Sequence, residues 1–397
     1  MTFDRWMLPE GIEELLPEEA AKVERLRRKL LNQYASWGYQ LVIPPLIEFV
    51  ESLLLDTNPD LDISTYKMMD RKSGRTMGLR ADITAQVARI DAHAMASEGV
   101  NRLCYAGSVV HTAPRRALGS RSPIQIGCEL FGDASVEGDL EVISLMLNTL
   151  SSVGIPNITL DVGHVRIVRR ILEKVCISKD TEREILEALD SKRVEKLEGI
   201  IAEHQLSEET GQLLHSVATI QGGRDSFDRL AKALKGYDDE IDDALSSVYR
   251  VLDEVELKYP SINAYVDFSE TQGYDYHTGL VFSALTTEIG YPLANGGRYD
   301  DVSGLFGRSR AATGFNADLK TIMTVANLPE CAPKKNIYVH REILAKVWSD
   351  IERLREDGNT VIEGNTALPE DSLRRKCNFV LTFGDEGAKL RAFDENP

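Results

Sequence analysis

Three stretches of this chain combine residue types that could hold a small polar ligand. L-R-A-D-I-T-A at 79–85 sets Asp82 and Thr84 where a strand pattern gives way to a helical one. In P-I-Q-I-G-C-E-L-F-G at 123–132, a strand would place Gln125, Gly127 and Glu129 on one face, because strand side chains alternate with period two. An amide and a carboxylate on one face, with a glycine leaving room between them, suit an amine or an imidazole. T-Q-G-Y-D-Y-H-T-G-L-V-F at 271–282, read as a strand, directs Tyr274, Tyr276 and Thr278 one way and Asp275, His277 and Gly279 the other. Each stretch also has a plainer reading. Asp82 serves equally as a helix cap, Gln125 and Glu129 fit a solvated sheet face, and His277 fits a satisfied core position. N-G-G-R-Y-D at 295–300 reads as a tight turn with Arg298 in a structural ion pair, and the chain has no G-x-x-x-x-G-K-[ST] phosphate loop.

The elements that must position these residues follow from hydrophobic period and turn chemistry. Residues 18–36 form an amphipathic helix with acids early and basic residues later. W-G-Y-Q-L-V-I-P-P-L-I-E-F is β-rich, but Pro44 and Pro45 bar a continuous central strand. Residues 66–80 read as a hairpin turning at Lys72, Ser73 and Gly74, and a helix starts at Asp82. R-L-C-Y-A-G-S-V-V and P-I-Q-I-G-C-E-L-F-G are strands joined by a basic loop, a helix spans 138–153, and N-I-T-L-D-V-G is another strand. About 164–258 the composition turns rich in Glu, Leu, Lys and Arg, which marks a helical insertion. Strands resume at N-A-Y-V-D-F and G-L-V-F-S-A-L, P-L-A-N-G-G-R-Y-D is expected as a loop, and a strand, turn and helix follow. The pattern predicts an α+β fold on an antiparallel sheet. A core over 1–325 is followed by a small α/β domain over 333–397, with a polar helix expected in its middle.

Composition narrows the function. The net charge of −17, from 63 acidic and 46 basic residues, opposes binding of a large polyanion, so no nucleic-acid partner is expected. No stretch offers the roughly 18 apolar residues needed to cross a bilayer, so no membrane association is expected. The acidic N-terminus does not resemble a signal peptide, and a cytoplasmic protein is expected. Five cysteines without a C-x-x-C pair and seven histidines without ligand spacing predict reduced thiols, no metal and no cofactor.

Taken in order, P-E-G-I-E-E-L-L-P-E-E-A, W-G-Y-Q-L-V-I-P-P-L-I-E, L-R-A-D-I-T-A, P-I-Q-I-G-C-E-L-F-G, G-Y-D-Y-H-T-G-L-V-F and G-G-R-Y-D resemble the histidyl-tRNA synthetase family over roughly 1–325. The resemblance implies a class II aminoacyl-tRNA synthetase-like antiparallel sheet flanked by helices. It also implies that the Pro44–Pro45 stretch builds a homodimer interface. The tail resembles a shortened anticodon-binding domain. Three departures concern ATP. Where the family carries phosphate-binding or catalytic arginines, this chain has His111, Gln272 and Thr321, and Asp318 adds a negative charge nearby. Losing three charged hydrogen bonds would cost about 4–9 kcal/mol, on the order of 10³–10⁶ in rate, so adenylation is expected to be lost.

A retained amino-acid pocket beside a lost ATP site resembles the regulatory-subunit family of ATP phosphoribosyltransferase. H-T-A-P-R-R, G-S-R-S-P-I-Q-I-G and G-Y-x-Y-H-T-G are similar to its pattern. That resemblance implies a non-catalytic subunit that pairs with a short catalytic subunit in histidine biosynthesis, activates it and transmits feedback inhibition by L-histidine. On this reading Glu129 and His277 bracket the imidazole, with Tyr274 and Tyr276 in the same pocket face. Asp82, Thr84 and Gln125 receive the α-ammonium, and Arg121 or Arg116 meets the carboxylate. The alternatives are a working histidyl-tRNA synthetase and a stand-alone amino-acid sensor or scaffold.

Overall fold

A computed structural model describes residues 6–54, 59–114, 119–270, 273–274, 276–328, 335–364, 377–385 and 387–392. The chain divides into two compact units, Met1–Asn327 and Leu328–Pro397.

The first unit opens with α1 (Pro17–Ser36), whose Val23, Leu26, Leu30 and Tyr34 recur at helical spacing and are buried. Glu18 and Glu19 occupy its first turn, where the helix dipole favours acids. Next come β1 (Gln40–Leu41) and β2 (Ile47–Phe49), kept apart by Pro44 and Pro45, which have no N–H to give a ladder. α2 (Val50–Leu53), α3 (Pro59–Ser64), the hairpin of β3 (Lys67–Met69) and β4 (Thr76–Leu79), and α4 (Thr84–Arg89) follow. Then come β5 (Asn101–Ser108), β6 (Ile124–Phe131), α5 (Val136–Ser152) and β7 (Ile158–His164). Helices α6 (Val165–Glu173), α7 (Lys179–Asp190), α8 (Val194–Glu203), α9 (Glu208–Thr219), α10 (Arg224–Leu234) and α11 (Asp239–Lys258) run consecutively between β7 and β8 (Asn263–Val266). β9 (Leu280–Thr286), β10 (Ile289–Arg298), β11 (Ala312–Asp318) and α12 (Leu319–Val325) complete the unit.

Eight of these strands form one sheet in the order β1-β5-β6-β11-β10-β9-β7-β8. Its centre is antiparallel, and the two outermost pairs, β1 with β5 and β7 with β8, are parallel. α5 packs against β6, β9, β10 and β11, and α1 against β5. Phe315 of β11 meets the edge of Tyr34 of α1 at 6.1 Å. Residues that alternate with Phe315 on β11 therefore belong to the opposite face, where the pocket lies. β2, β4 and β3 form a separate three-stranded sheet.

The stretch P-L-A-N-G-G-R-Y-D, expected as a loop with a tight turn, is instead strand β10 through Arg298. Neither Gly296 nor Gly297 adopts the positive φ that a tight Asn-Gly turn requires. They are small because their neighbours are close. A Cβ on Gly296 would stand 2.3 Å from the Gly314 carbonyl oxygen, and one on Gly297 would stand 2.6 Å from the His277 ring. Arg298 does enter a buried ion pair, with Asp139 at 3.0 Å.

In the second unit β12 (Asn336–Val339), α13 (Leu344–Glu356), β13 (Thr360–Glu363), β14 (Phe379–Gly384) and β15 (Gly387–Ala392) build a sheet ordered β13-β12-β14-β15. Ile337, Val339, Val347, Ile351 and Leu381 form its core. The polar helix expected in this unit lies outside the described residues. Among the described residues no helix is long and apolar enough to cross a membrane.

Candidate functional site

A pocket of about 250 Å³ opens on the face of the main sheet away from α1. Glu129 of β6 forms its base and is only 1% exposed. The Tyr105 hydroxyl donates to Glu129 Oε1 at 3.0 Å, the Tyr299 hydroxyl donates to Oε2, and Thr84 Oγ1 lies 3.2 Å from the Tyr105 oxygen. Burial pushes the Glu129 carboxyl up to about 8, against the lowering effect of the two tyrosine hydrogen bonds and with a smaller upward contribution from the charge of Asp82. Glycines make this placement possible. A Cβ at Gly314, directly opposite Glu129 on β11, would lie 1.6 Å from Glu129 Oε2. A Cβ at Gly127 would lie 2.5 Å from the Tyr105 hydroxyl, so that glycine makes room for Tyr105.

Asp82, just ahead of α4, and Thr84, its first residue, line the pocket. Asp82 Oδ2 accepts the Thr84 N–H at 2.9 Å, a local cap. Asp82 Oδ1 accepts the Gln125 side-chain amide at 2.6 Å, while Gln125 Oε1 accepts the Ile83 N–H at 2.8 Å. Gln125 is therefore occupied at both ends. It fixes the carboxylate of Asp82 and is not among the described pocket-lining residues.

Residues 273, 274 and 276–279 lie outside any strand, and the strand starts only at Leu280, which corrects the alternation expected for Tyr274, Tyr276 and His277. Gly273 at φ +75 closes the turn, accepting the N–H groups of Tyr276 at 2.9 Å and His277 at 2.8 Å. Tyr276 and His277 consequently both line the pocket, and Tyr276 stacks on Tyr299 with ring centroids 5.3 Å apart. The His277 ring sits between Gly273 and Gly297, either of which would strike it if it carried a Cβ. Burial, with a smaller push from the charge of Arg169, lowers His277 to about 4, so its ring is neutral at physiological pH. Tyr274 lies outside the pocket lining. Its ring lies under the Arg169 guanidinium at 4.8 Å, and its hydroxyl approaches Glu182 at 3.4 Å. Arg169 of α6 also donates to the carbonyls of Tyr274 at 2.5 Å and His277 at 3.2 Å, tying the turn to the helical segment.

Arg121, expected near a ligand carboxylate, is turned elsewhere. It donates to the Glu10 carbonyl at 2.9 Å, to the His111 carbonyl at 3.1 Å and to the Tyr66 hydroxyl, so it secures the N-terminal segment and does not line the pocket. Arg116 and Gln272 lie outside the described residues. His111 is 3% exposed with Nε2 2.9 Å from the Ala81 oxygen. The Thr321 hydroxyl donates to Asp318 Oδ2 at 2.8 Å. Asp318 also accepts the N–H groups of Ile124 and Lys320 through Oδ1, each at 3.1 Å, and so caps α12. Among the described lining residues none is a lysine or arginine. Tyr105, Tyr299, Asn295 and Asn316 were not singled out from the sequence as site residues. Reading 289–299 as extended chain would have placed Asn295, Gly297 and Tyr299 on one face.

A lining of carboxyl groups, aromatic rings and neutral amides suits a small ligand with cationic or N–H-bearing groups, and its described residues include no cationic side chain for a polyphosphate. Comparison with known proteins identifies the family. A family model described as histidyl-tRNA synthetase matches residues 11–322. The ATP phosphoribosyltransferase regulatory subunit of Ectopseudomonas mendocina is 43% identical over 385 residues, covering 97% of each chain. That of Azotobacter vinelandii is 45% identical over 385 residues, again 97% of each. A crystal structure of an ATP phosphoribosyltransferase regulatory subunit/histidyl-tRNA synthetase from Bacillus halodurans shares the fold, with a TM-score of 0.82 at 23% identity over 94% of this chain and 96% of that one. The chain belongs to the ATP phosphoribosyltransferase regulatory subunits, within the wider histidyl-tRNA synthetase family.

Proposed function

We propose that this chain binds a short catalytic ATP phosphoribosyltransferase subunit, activates it, and conveys inhibition by free L-histidine held in the pocket on its main sheet. The observation that carries this reading is an amino-acid-sized pocket with Glu129 at its base, beside positions that no longer supply arginine to a nucleotide. Glu129 and His277 lie at one end and suit an imidazole. Asp82 and Thr84 suit an α-ammonium, with Gln125 orienting Asp82. His111 and Thr321 are engaged in internal hydrogen bonds where the resemblance would place phosphate-binding arginines. Leu41, Ile43, Leu46 and Ile47, exposed around Pro44 and Pro45, support a homodimer through this stretch.

Closing the pocket over histidine would bias the scaffold only by the difference in affinity between its two states, and the catalytic partner would feel that bias. Calorimetry with L-histidine and histidine-dependent ATP–pyrophosphate exchange test the reading together. Saturable histidine binding without exchange is expected. Exchange at ordinary synthetase rates would overturn it in favour of a working synthetase, and absence of histidine binding would remove the proposed ligand.

A further inference from the structure

We propose that Asn295 and Asn316 receive the α-carboxylate of the amino acid, an inference that rests on reading the pocket as a histidine site. Asn295 of β10 and Asn316 of β11 are direct cross-strand partners, and both line the pocket. Directly opposed residues project from the same face of an antiparallel pair, with Cβ atoms about 4.5–5.5 Å apart. Two residues further along the same strands, Gly297 stands opposite Gly314, and Gly314 stands opposite Glu129. The face therefore carries two adjacent rows. One row has the Glu129 carboxyl beside the bare backbone of Gly314 and Gly297. The next has Gly127, Asn316 and Asn295, with Tyr105 filling the space over Gly127.

The rows are separated by roughly 7 Å, two strand residues, which is comparable to the length of histidine from its ring to its carboxylate. An imidazole lying on the glycines beside Glu129 thus extends its backbone end toward the two carboxamides. A carboxylate entering this pocket meets the like charge of Asp82 and is costly to desolvate unless it finds donors. No lysine or arginine is among the described lining residues, and Arg121 is occupied by Glu10, His111 and Tyr66. Among the described residues neither Asn295 nor Asn316 spends its side chain on a hydrogen bond. Each carboxamide has two N–H donors. The pair can therefore hold the carboxylate with neutral donors, where the chain lacks the arginine expected of a synthetase. It also makes the site selective for the free amino acid over analogues lacking the acid.

The test is calorimetry on the full chain with L-histidine and with L-histidinol, whose alcohol replaces the carboxylate. Wild type should prefer histidine by about tenfold or more, the scale of one or two hydrogen bonds to a charged group. Asn295→Ala and Asn316→Ala should each weaken histidine about tenfold while changing histidinol less than about threefold, so that the preference shrinks or vanishes. Asn316→Asp should favour histidinol. Equal binding of both ligands by wild type, a measurement needing no variant, would overturn the assignment. Variants that keep the wild-type ratio would do the same while leaving the histidine site standing. Wild type binding neither ligand would sink the histidine reading and this inference with it.

Discussion

Glu129 shows what the pocket costs and what it is for. Its carboxyl rises from 4.5 to about 8 because it is buried, even with two tyrosine hydroxyls donating to it. A group whose folded pKa is raised contributes its full stability below the unfolded value and loses it as pH climbs through the folded value. For Glu129 that window runs from about 4.5 to about 8. At about 1.4 kcal/mol per unit the loss above it is on the order of a few kcal/mol. Glu129→Gln removes the titration while keeping a hydrogen-bonding shape. The ligand-free variant should gain thermal stability over wild type at pH 9, and gain little or none at pH 5, while binding histidine at least about tenfold more weakly. Melting curves at the two pH values check the first part, and an equal shift at both would contradict it. Gly314→Ala meets the same carboxyl from the other side. Its Cβ would stand 1.6 Å from Glu129 Oε2, so chemical denaturation should show a loss of about 1–3 kcal/mol or more, accompanied by loss of histidine binding in calorimetry.

At the scale of elements, the pocket is a glycine-lined groove across β6, β11 and β10, closed by the turn at Gly273, Tyr276 and His277 and tethered by α6. Arg169 is the tether, through the carbonyls of Tyr274 and His277. Arg169→Ala should free the turn and weaken histidine binding about tenfold without changing the mass of the assembled complex. Unchanged affinity would mean that the turn holds its shape unaided. Much of this arrangement was legible in the sequence. Asp82 stands just before α4, Thr84 opens it, and Glu129 alternates with Gln125 and Gly127 along β6, whereas Tyr276 and His277, which a strand would divide between two faces, both reach the pocket. What escaped depends on contacts distant in sequence. Asn295, Gly296 and Gly297 carry the chemistry of a hairpin turn, and only the closeness of Gly314, Phe282 and His277 makes them a strand. Arg121 sits in a basic stretch that suggests an anion, and its partners Glu10 and Tyr66 are far away in the chain. Gln125 has the right type and face for a ligand, but Ile83 and Asp82 claim both of its ends.

For the whole molecule, family and charge point the same way. A net charge of −17 opposes the approach of a large polyanion such as tRNA. Gel-shift titration with histidine-accepting tRNA at physiological salt should therefore show no complex at micromolar protein, and a salt-sensitive complex there would favour the synthetase reading. The central claim is that the pocket senses histidine on behalf of a separate catalytic subunit. Its most direct measurement is phosphoribosyl transfer by the short catalytic subunit as this chain is titrated in, with and without L-histidine, using wild type and Glu129→Gln in parallel. Wild type should raise the rate, added histidine should suppress the rise, and Glu129→Gln should still raise the rate while requiring at least about tenfold more histidine to suppress it. No change in rate on adding the chain, or equal histidine sensitivity of the two forms, would contradict the claim.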